Sequence, residues 1–162
     1  MHTKFIQLVH SKWKFNLFLL KNLPSAYFSG VRVRSLTEAA CSVTVPYQWF
    51  SRNPFNSTYF ACLAMAAEMS TGVLALGNIY GQKPGISMLV VALQATYYKK
   101  AIGITTFTCA DGAAFANAIQ QAKLSGESHT VTSISNGYNN ANELVASFTI
   151  TWSFKAKKGI SV

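Results

Sequence analysis

Between Ala39 and Ala110 the chain holds a single acidic side chain, Glu68, and it stands in the middle of an apolar segment rich in alanine. A carboxylate placed there loses much of its hydration, and leaving a buried charge uncompensated is costly. Such a group is either held by polar neighbours or kept for chemistry. Low polarity raises a carboxyl pKa toward the working range of a general base. A base at this point would activate water, or attack an acyl carbon directly. The competing reading is a structural carboxylate held by Ser70, Thr71 or Asn53.

Other side chains fall around it in a pattern that such chemistry could use. Asn53 can donate its amide to Glu68 or to a ligand carbonyl, or bond its own backbone ahead of Pro54. Asn56 reads as a cap or turn residue that could also line a site. Thr71 lies on the Glu68 face of a helix, where its hydroxyl can hold a water or bond a carbonyl one turn back. Tyr47, Trp49, Phe50, Phe55, Tyr59 and Phe60 can wall an acyl or aryl pocket, or simply pack. Arg52, Lys83, Lys99 and Lys100 suit phosphates, or are solvated surface charges. Cys41, Cys62 and Cys109 are widely spaced, and His2, His10 and His129 lack ligand spacing. That excludes a zinc site and a disulfide framework, and points to a reducing, cytoplasmic setting with no metal and no cofactor.

The composition limits the partners. The 162 residues suit one domain, with 50% hydrophobic and only 12% charged residues. Surface that sparsely charged is expected either to be covered by a partner subunit or to meet a membrane in part. The formal net charge of +9 favours anionic partners. Its bases are scattered, with Lys99-Lys100 and Lys157-Lys158 the adjacent pairs, so no nucleic-acid stripe is read. Residues 1–28 form a helical extension. Basic Lys4, Lys12 and Lys14 precede a short apolar run that Lys21 closes, with no small-residue cleavage site. A docked amphipathic helix over 11–21 is expected, ended by Pro24, with lipid contact a lesser alternative.

The elements that must hold the site follow from periodicity. Strands are predicted over 31–36 and 40–45, the second alternating Cys41, Val43 and Val45 with Ser42 and Thr44. A loop runs from 47 to 56. Ser57 or Thr58 caps a long helix over 58–76, ended by Gly77-Asn78 and apolar on every side, hence buried. Next come strands over 87–98 and 104–109, and a helix over 112–124 capped by Asp111. A strand over 128–135 leads to a turn at 137–140. The last strand alternates Leu144, Ala146, Phe148, Ile150, Trp152 and Phe154 with polar residues. Mostly neighbouring strands imply an antiparallel sheet curled around one buried helix.

This order resembles hotdog-fold acyl-CoA thioesterases, of the phenylacetyl-CoA type, from about residue 30 to 154. In that branch an Asn precedes a His-Gly-Gly by six residues, and a catalytic Asp or Glu lies nine beyond the His. Here Asn53 matches the Asn, Tyr59-Phe60-Ala61 occupies the His-Gly-Gly positions, and Glu68 falls on the catalytic carboxylate. The inserted helix at 111–125 and the absent Gly pair are departures. The resemblance implies an α+β hotdog fold and hydrolysis of an acyl-CoA thioester between the subunits of a two-fold homodimer or a tetramer. It implies Glu68 as base or nucleophile, Asn53 as positioner and the Ala61 N–H as oxyanion donor. Asn56, Tyr59, Phe60, Thr71 and Lys99 are the expected substrate contacts. Tyr59 and Phe60 crowd the entrance, which favours as rival a non-catalytic module binding an acyl chain. A membrane span over 58–80 conflicts with the flanking strands. A hotdog dehydratase would need a His beside the carboxylate, and none lies between Ser11 and Ser128.

Overall fold

A computed structural model describes residues 1–157, so Lys158 of the Lys157-Lys158 pair lies outside it. Its helices are α1 Thr3–His10, α2 Lys12–Asn22, α3 Pro24–Phe28, α4 Phe60–Ile79 and α5 Gly112–Ser125. The strands are β1 Arg32–Leu36, β2 Cys41–Val45, β3 Ile86–Tyr97, β4 Thr105–Cys109, β5 His129–Tyr138 and β6 Leu144–Ala156. All pairings are antiparallel, in the order β1-β2-β4-β5-β6-β3, so β3 crosses over to the far edge beside β6.

One face of the sheet wraps α4. The alternation of β6 drives this, placing Ala146, Phe148, Ile150, Trp152 and Phe154 in the core and the intervening polar residues outward. Helix α4 is apolar enough to cross a bilayer, but here it is the buried core helix. The indole of Trp152 donates to the Thr71 hydroxyl at 2.9 Å, which locks the axial position of α4 on the sheet. Helix α5 packs beside α4 on the same face, with Phe115 edge-on to Phe154. Cys41 and Cys109 stand opposite each other on β2 and β4, fully buried. Burial pushes their thiols up to about 12 and about 11, so both behave as inert apolar packing.

Several boundaries differ from expectation for identifiable reasons. The extension is three helices rather than one: Pro24 does stop α2, but it then opens α3 from the first-turn position where a missing N–H costs nothing. Neither Ser57 nor Thr58 caps α4, because Thr58 donates to the Ala101 carbonyl and Ser57 is held by Asn53. Gly77 does not end α4. Its bare backbone admits the Met1 side chain, and its carbonyl accepts the His2 N–H at 3.0 Å. Asp111 stands at the start of α5 without capping it; its carboxylate accepts the Ile134 N–H at 3.1 Å on β5. Gly137 lies inside β5, where the Phe107 ring occupies the space a Cβ would take, and the turn falls at 139–142.

Strand β3 holds the most consequential difference. A bulge between Val90 and Ala92 shifts its register against β6. Met88 and Val90 face the helix side before it; Leu93, Ala95 and Tyr97 do so after it. Leu89, which an unbroken period of two would put on the same face as Leu93, therefore points the other way.

Gly112 ties the β1–β2 turn to α5: its N–H reaches the Ala39 carbonyl at 3.0 Å, and a Cβ there would meet the Glu38 carbonyl oxygen at 1.9 Å. Gly112→Ala should therefore force main chain apart, lowering stability by about 2–3 kcal/mol and Tm by roughly 5–10 °C in a calorimetric melt. An unchanged melt would mean that the turn yields freely.

Candidate functional site

Glu68 projects from the middle of α4 toward the extension rather than toward the sheet. Its carboxylate finds no hydrogen-bond partner among the described residues. Gly72, one turn on, is what gives it room: a Cβ there would lie 3.0 Å from its Oε1, and 3.3 Å from the Trp152 ring on the other flank. The half-buried carboxylate is a wall common to two crevices. One, of 120 Å³, is apolar and closed by Phe15, Phe18, Leu19, Val73, Leu76 and Met88. The other, of 270 Å³, lies under the α2–α3 junction at Asn22, Leu23 and Pro24. With hydrocarbon around it and no donor facing it, burial pushes the Glu68 pKa up to about 7.

A larger cavity of 800 Å³ opens at the N-terminal end of α4. The loop before the helix, its first residues and the segment leaving β3 form it: Asn53, Tyr59, Phe60, Tyr97, Lys99 and Lys100 line it. Tyr59 and Phe60 are exposed and meet edge-on at 4.8 Å. The Ala61 N–H, in the first turn, has no acceptor among the described residues.

The sequence-selected residues thus divide. Asn53, Tyr59, Phe60 and Lys99 share the large cavity, while Ala61 sits behind them in the first turn of α4 and does not line it. Glu68 lines the other crevices, so one chain does not bring it to Asn53. The Asn53 side chain ties its own loop instead, its oxygen accepting from the Phe55 N–H at 2.9 Å and its amide donating to Ser57 at 3.1 Å. Asn56 is an exposed turn residue at φ 58°, on a neighbouring surface hollow. Thr71 takes the second of the two roles open to it: fully buried, its hydroxyl donates to the Glu68 backbone carbonyl at 2.9 Å and accepts the Trp152 indole N–H. Its one proton is spent on that carbonyl and the hydroxyl is fully enclosed, so Thr71 fastens the helix rather than touching a ligand. Lys99 is ion-paired with Glu143, whose carboxyl is held below its usual range by that contact.

Sequence reasoning missed the walls of the Glu68 crevice contributed by α2, and the cavity residues Tyr97 and Tyr98. Phe15, Phe18 and Leu19 are spaced at three and four residues, a helical face, but nothing local says which helix receives it.

A six-stranded antiparallel sheet wrapped on one long helix defines the hotdog fold of thioesterases. Solved structures of like shape agree. A Pseudomonas aeruginosa protein of unknown function, described as a probable thioesterase, superposes with a TM-score of 0.72 at 17% identity, over 97% of both chains. A Chlorobaculum tepidum protein of unknown function gives 0.76 at 17% identity, over 90% of this chain and 94% of its own. A Haemophilus influenzae thioesterase gives 0.63 at 11% identity, over 94% and 95%. Among curated proteins no match is found. Residues 11–154 match the family model described as a domain of unknown function, DUF4442, and the chain belongs to that family.

Because the folded-state pKa of Glu68 is raised, folding holds its proton more tightly than the unfolded chain does. Below the ordinary carboxyl value of 4.5 both states are protonated and stability is full; it falls as pH rises toward about 7, as the unfolded chain ionises first. Glu68→Gln should match the wild type at pH 4 and exceed it at pH 8 by up to roughly 3 kcal/mol in denaturant titrations. Equal stability at both pH values would place the carboxylate in water.

Proposed function

We propose that the protein hydrolyses an acyl thioester, an acyl-CoA or a related carrier, with Glu68 as the base. The observation that carries this reading is a lone carboxylate, unpartnered and half-buried at the mouth of an apolar crevice, with a pKa near 7. A base at that pKa is half ionised at neutral pH, where it can both take and return a proton. Its carboxylate takes a proton from water as the water oxygen bonds to the acyl carbon. The tetrahedral adduct then expels the thiolate, which receives that proton and leaves as thiol, with the acid as second product. Direct attack by Glu68 would instead give a mixed anhydride that water then opens. The acyl tail fits the crevice between α2 and α4.

Assembly supports the same reading. The free edge of β3 exposes Leu89 at 66% and Leu93 at 48%, and a long apolar edge of that kind invites pairing. Two copies joined along β3 about a two-fold axis run antiparallel, so opposite ends of the strand meet. Tyr97 and Tyr98 stand at the cavity end, and Met88 stands at the Glu68 end. The dimer would thereby set the large cavity of one protomer against Glu68 of the partner subunit. The Ala61 N–H then serves as oxyanion donor, and Arg52 and Lys100 face the phosphates of the carrier. Three free, buried cysteines suit a reducing cytoplasm.

One feature favours a second reading, a non-catalytic acyl-binding module. Tyr59 and Phe60 stand at the helix start, where the resemblance expects the glycine pair, and their rings narrow the approach to the Ala61 N–H.

The deciding measurement is thiol release from a panel of aliphatic and aryl acyl-CoA substrates. Wild type should turn over at least one, with activity rising through an apparent pKa near 7. Glu68→Gln should lower kcat by about 10²–10⁴-fold. Silence across the panel, with saturable fatty-acid binding, would select the binding module. Leu93→Lys, which puts a charge on the β3 edge, should convert a dimer to monomers by light scattering and remove hydrolysis with it. Full activity in a monomer would place the whole site within one chain.

A further inference from the structure

The outward face of α2 is left without a partner. Trp13, Leu17 and Leu20 are 64%, 56% and 39% exposed. Their spacing of four and three residues aligns them in one ridge, opposite the buried Phe15 and Leu19. On the same helical geometry Lys14 and Lys21 flank the ridge on one side and Lys12 on the other, all exposed. Lys14 also rides over the Trp13 ring at 5.6 Å. Helix α2 is thus apolar on two opposite faces, one used by the fold and one not.

The charge around this ridge says what covers it. Lys14 and Lys21 flank it on one side, Lys12 on the other shares a surface hollow with Arg32 and Arg34, and α2 carries no acidic residue. A second copy is a poor occupant: an isologous contact sets the ridge against itself, bringing Lys14 and Lys21 near their own counterparts with no carboxylate on the helix to pair them. An anionic bilayer surface meets every requirement. Tryptophan and leucine enter the headgroup boundary, and each lysine near the surface contributes about 1 kcal/mol. We propose that the protein docks on anionic lipid bilayers through the Trp13–Leu17–Leu20 ridge of α2, with Lys12, Lys14 and Lys21 on the headgroups. The inner face of the same helix walls the Glu68 crevice, so docking sets the acyl site beside the lipid phase. This docking stands whether or not Glu68 hydrolyses a thioester.

The test is co-sedimentation of the full-length protein with vesicles of phosphatidylcholine, alone or mixed with phosphatidylglycerol. Binding to the anionic vesicles should exceed binding to the neutral ones by at least about tenfold and fall as salt is raised. The double variant Trp13→Ala/Leu17→Ala should weaken it about tenfold. Lys14→Glu/Lys21→Glu should remove the anionic preference. Leu124→Ala, an exposed apolar residue on α5, should leave binding unchanged. Melting curves check that each variant is folded, and the charge variant retains the ridge if the first does not fold. The proposal is overturned if wild type ignores phosphatidylglycerol, if the ridge variant binds as well as wild type, or if Leu124→Ala weakens binding equally. It is also overturned if the ridge variant changes only self-association, which would assign the ridge to a second copy.

Discussion

A helix that is apolar on every side must be enclosed on every side, and in this fold the sheet can enclose only half of α4. The six strands curl around one flank and α5 takes part of another. What remains is the flank carrying Met69, Val73, Leu76 and Glu68, and it is closed by α2 and α3. The extension is therefore part of the core, with Phe5, Phe15 and Leu19 as buried as any strand residue. Its first residues even dock into the gap above Gly77. Enclosure by a separate pair of short helices leaves a seam, and the one acidic residue of the helix lies in that seam.

The depth of Glu68 is set by contacts it does not make itself. Trp152 holds Thr71, Thr71 holds the Glu68 carbonyl, and Gly72 offers the side chain a bare surface to lie across. A residue with a Cβ at 72 would push the carboxylate outward into water or press the indole out of place. The helix axis, the rotation about it and the free volume one turn along are all fixed from β6. An unpaired carboxylate can be tolerated here because it remains half-exposed and protonates near neutral pH, which removes most of the charge that burial would penalise.

The sequence revealed what repeats and hid what depends on distance. The alternation of β6 and the unbroken apolar run of α4 are local patterns, and both elements lie where periodicity puts them. Glu68 stood out for the same reason, as the one exception in a uniform stretch. The β3 bulge was not legible, because Leu89, Val91 and Leu93 keep a period of two while the pairing with β6 slips by one. For Thr71 the bond to a carbonyl one turn back was legible, but its second partner, Trp152, lies 81 residues away and was not. The capping expectations failed at Thr58 and Asp111 through the same competition. A hydroxyl or carboxylate able to cap a helix was taken by a strand or loop that sequence spacing does not bring near.

Separating Glu68 from Asn53 within one chain changes what the resemblance means. In a single protomer the two lie around different hollows, at opposite ends of β3, and their spacing along the sequence implies no contact between their side chains. A strand whose free edge is apolar, with one hollow near each of its ends, has a property that neither hollow has alone. Any two-fold pairing along that edge brings unlike ends together and does so twice.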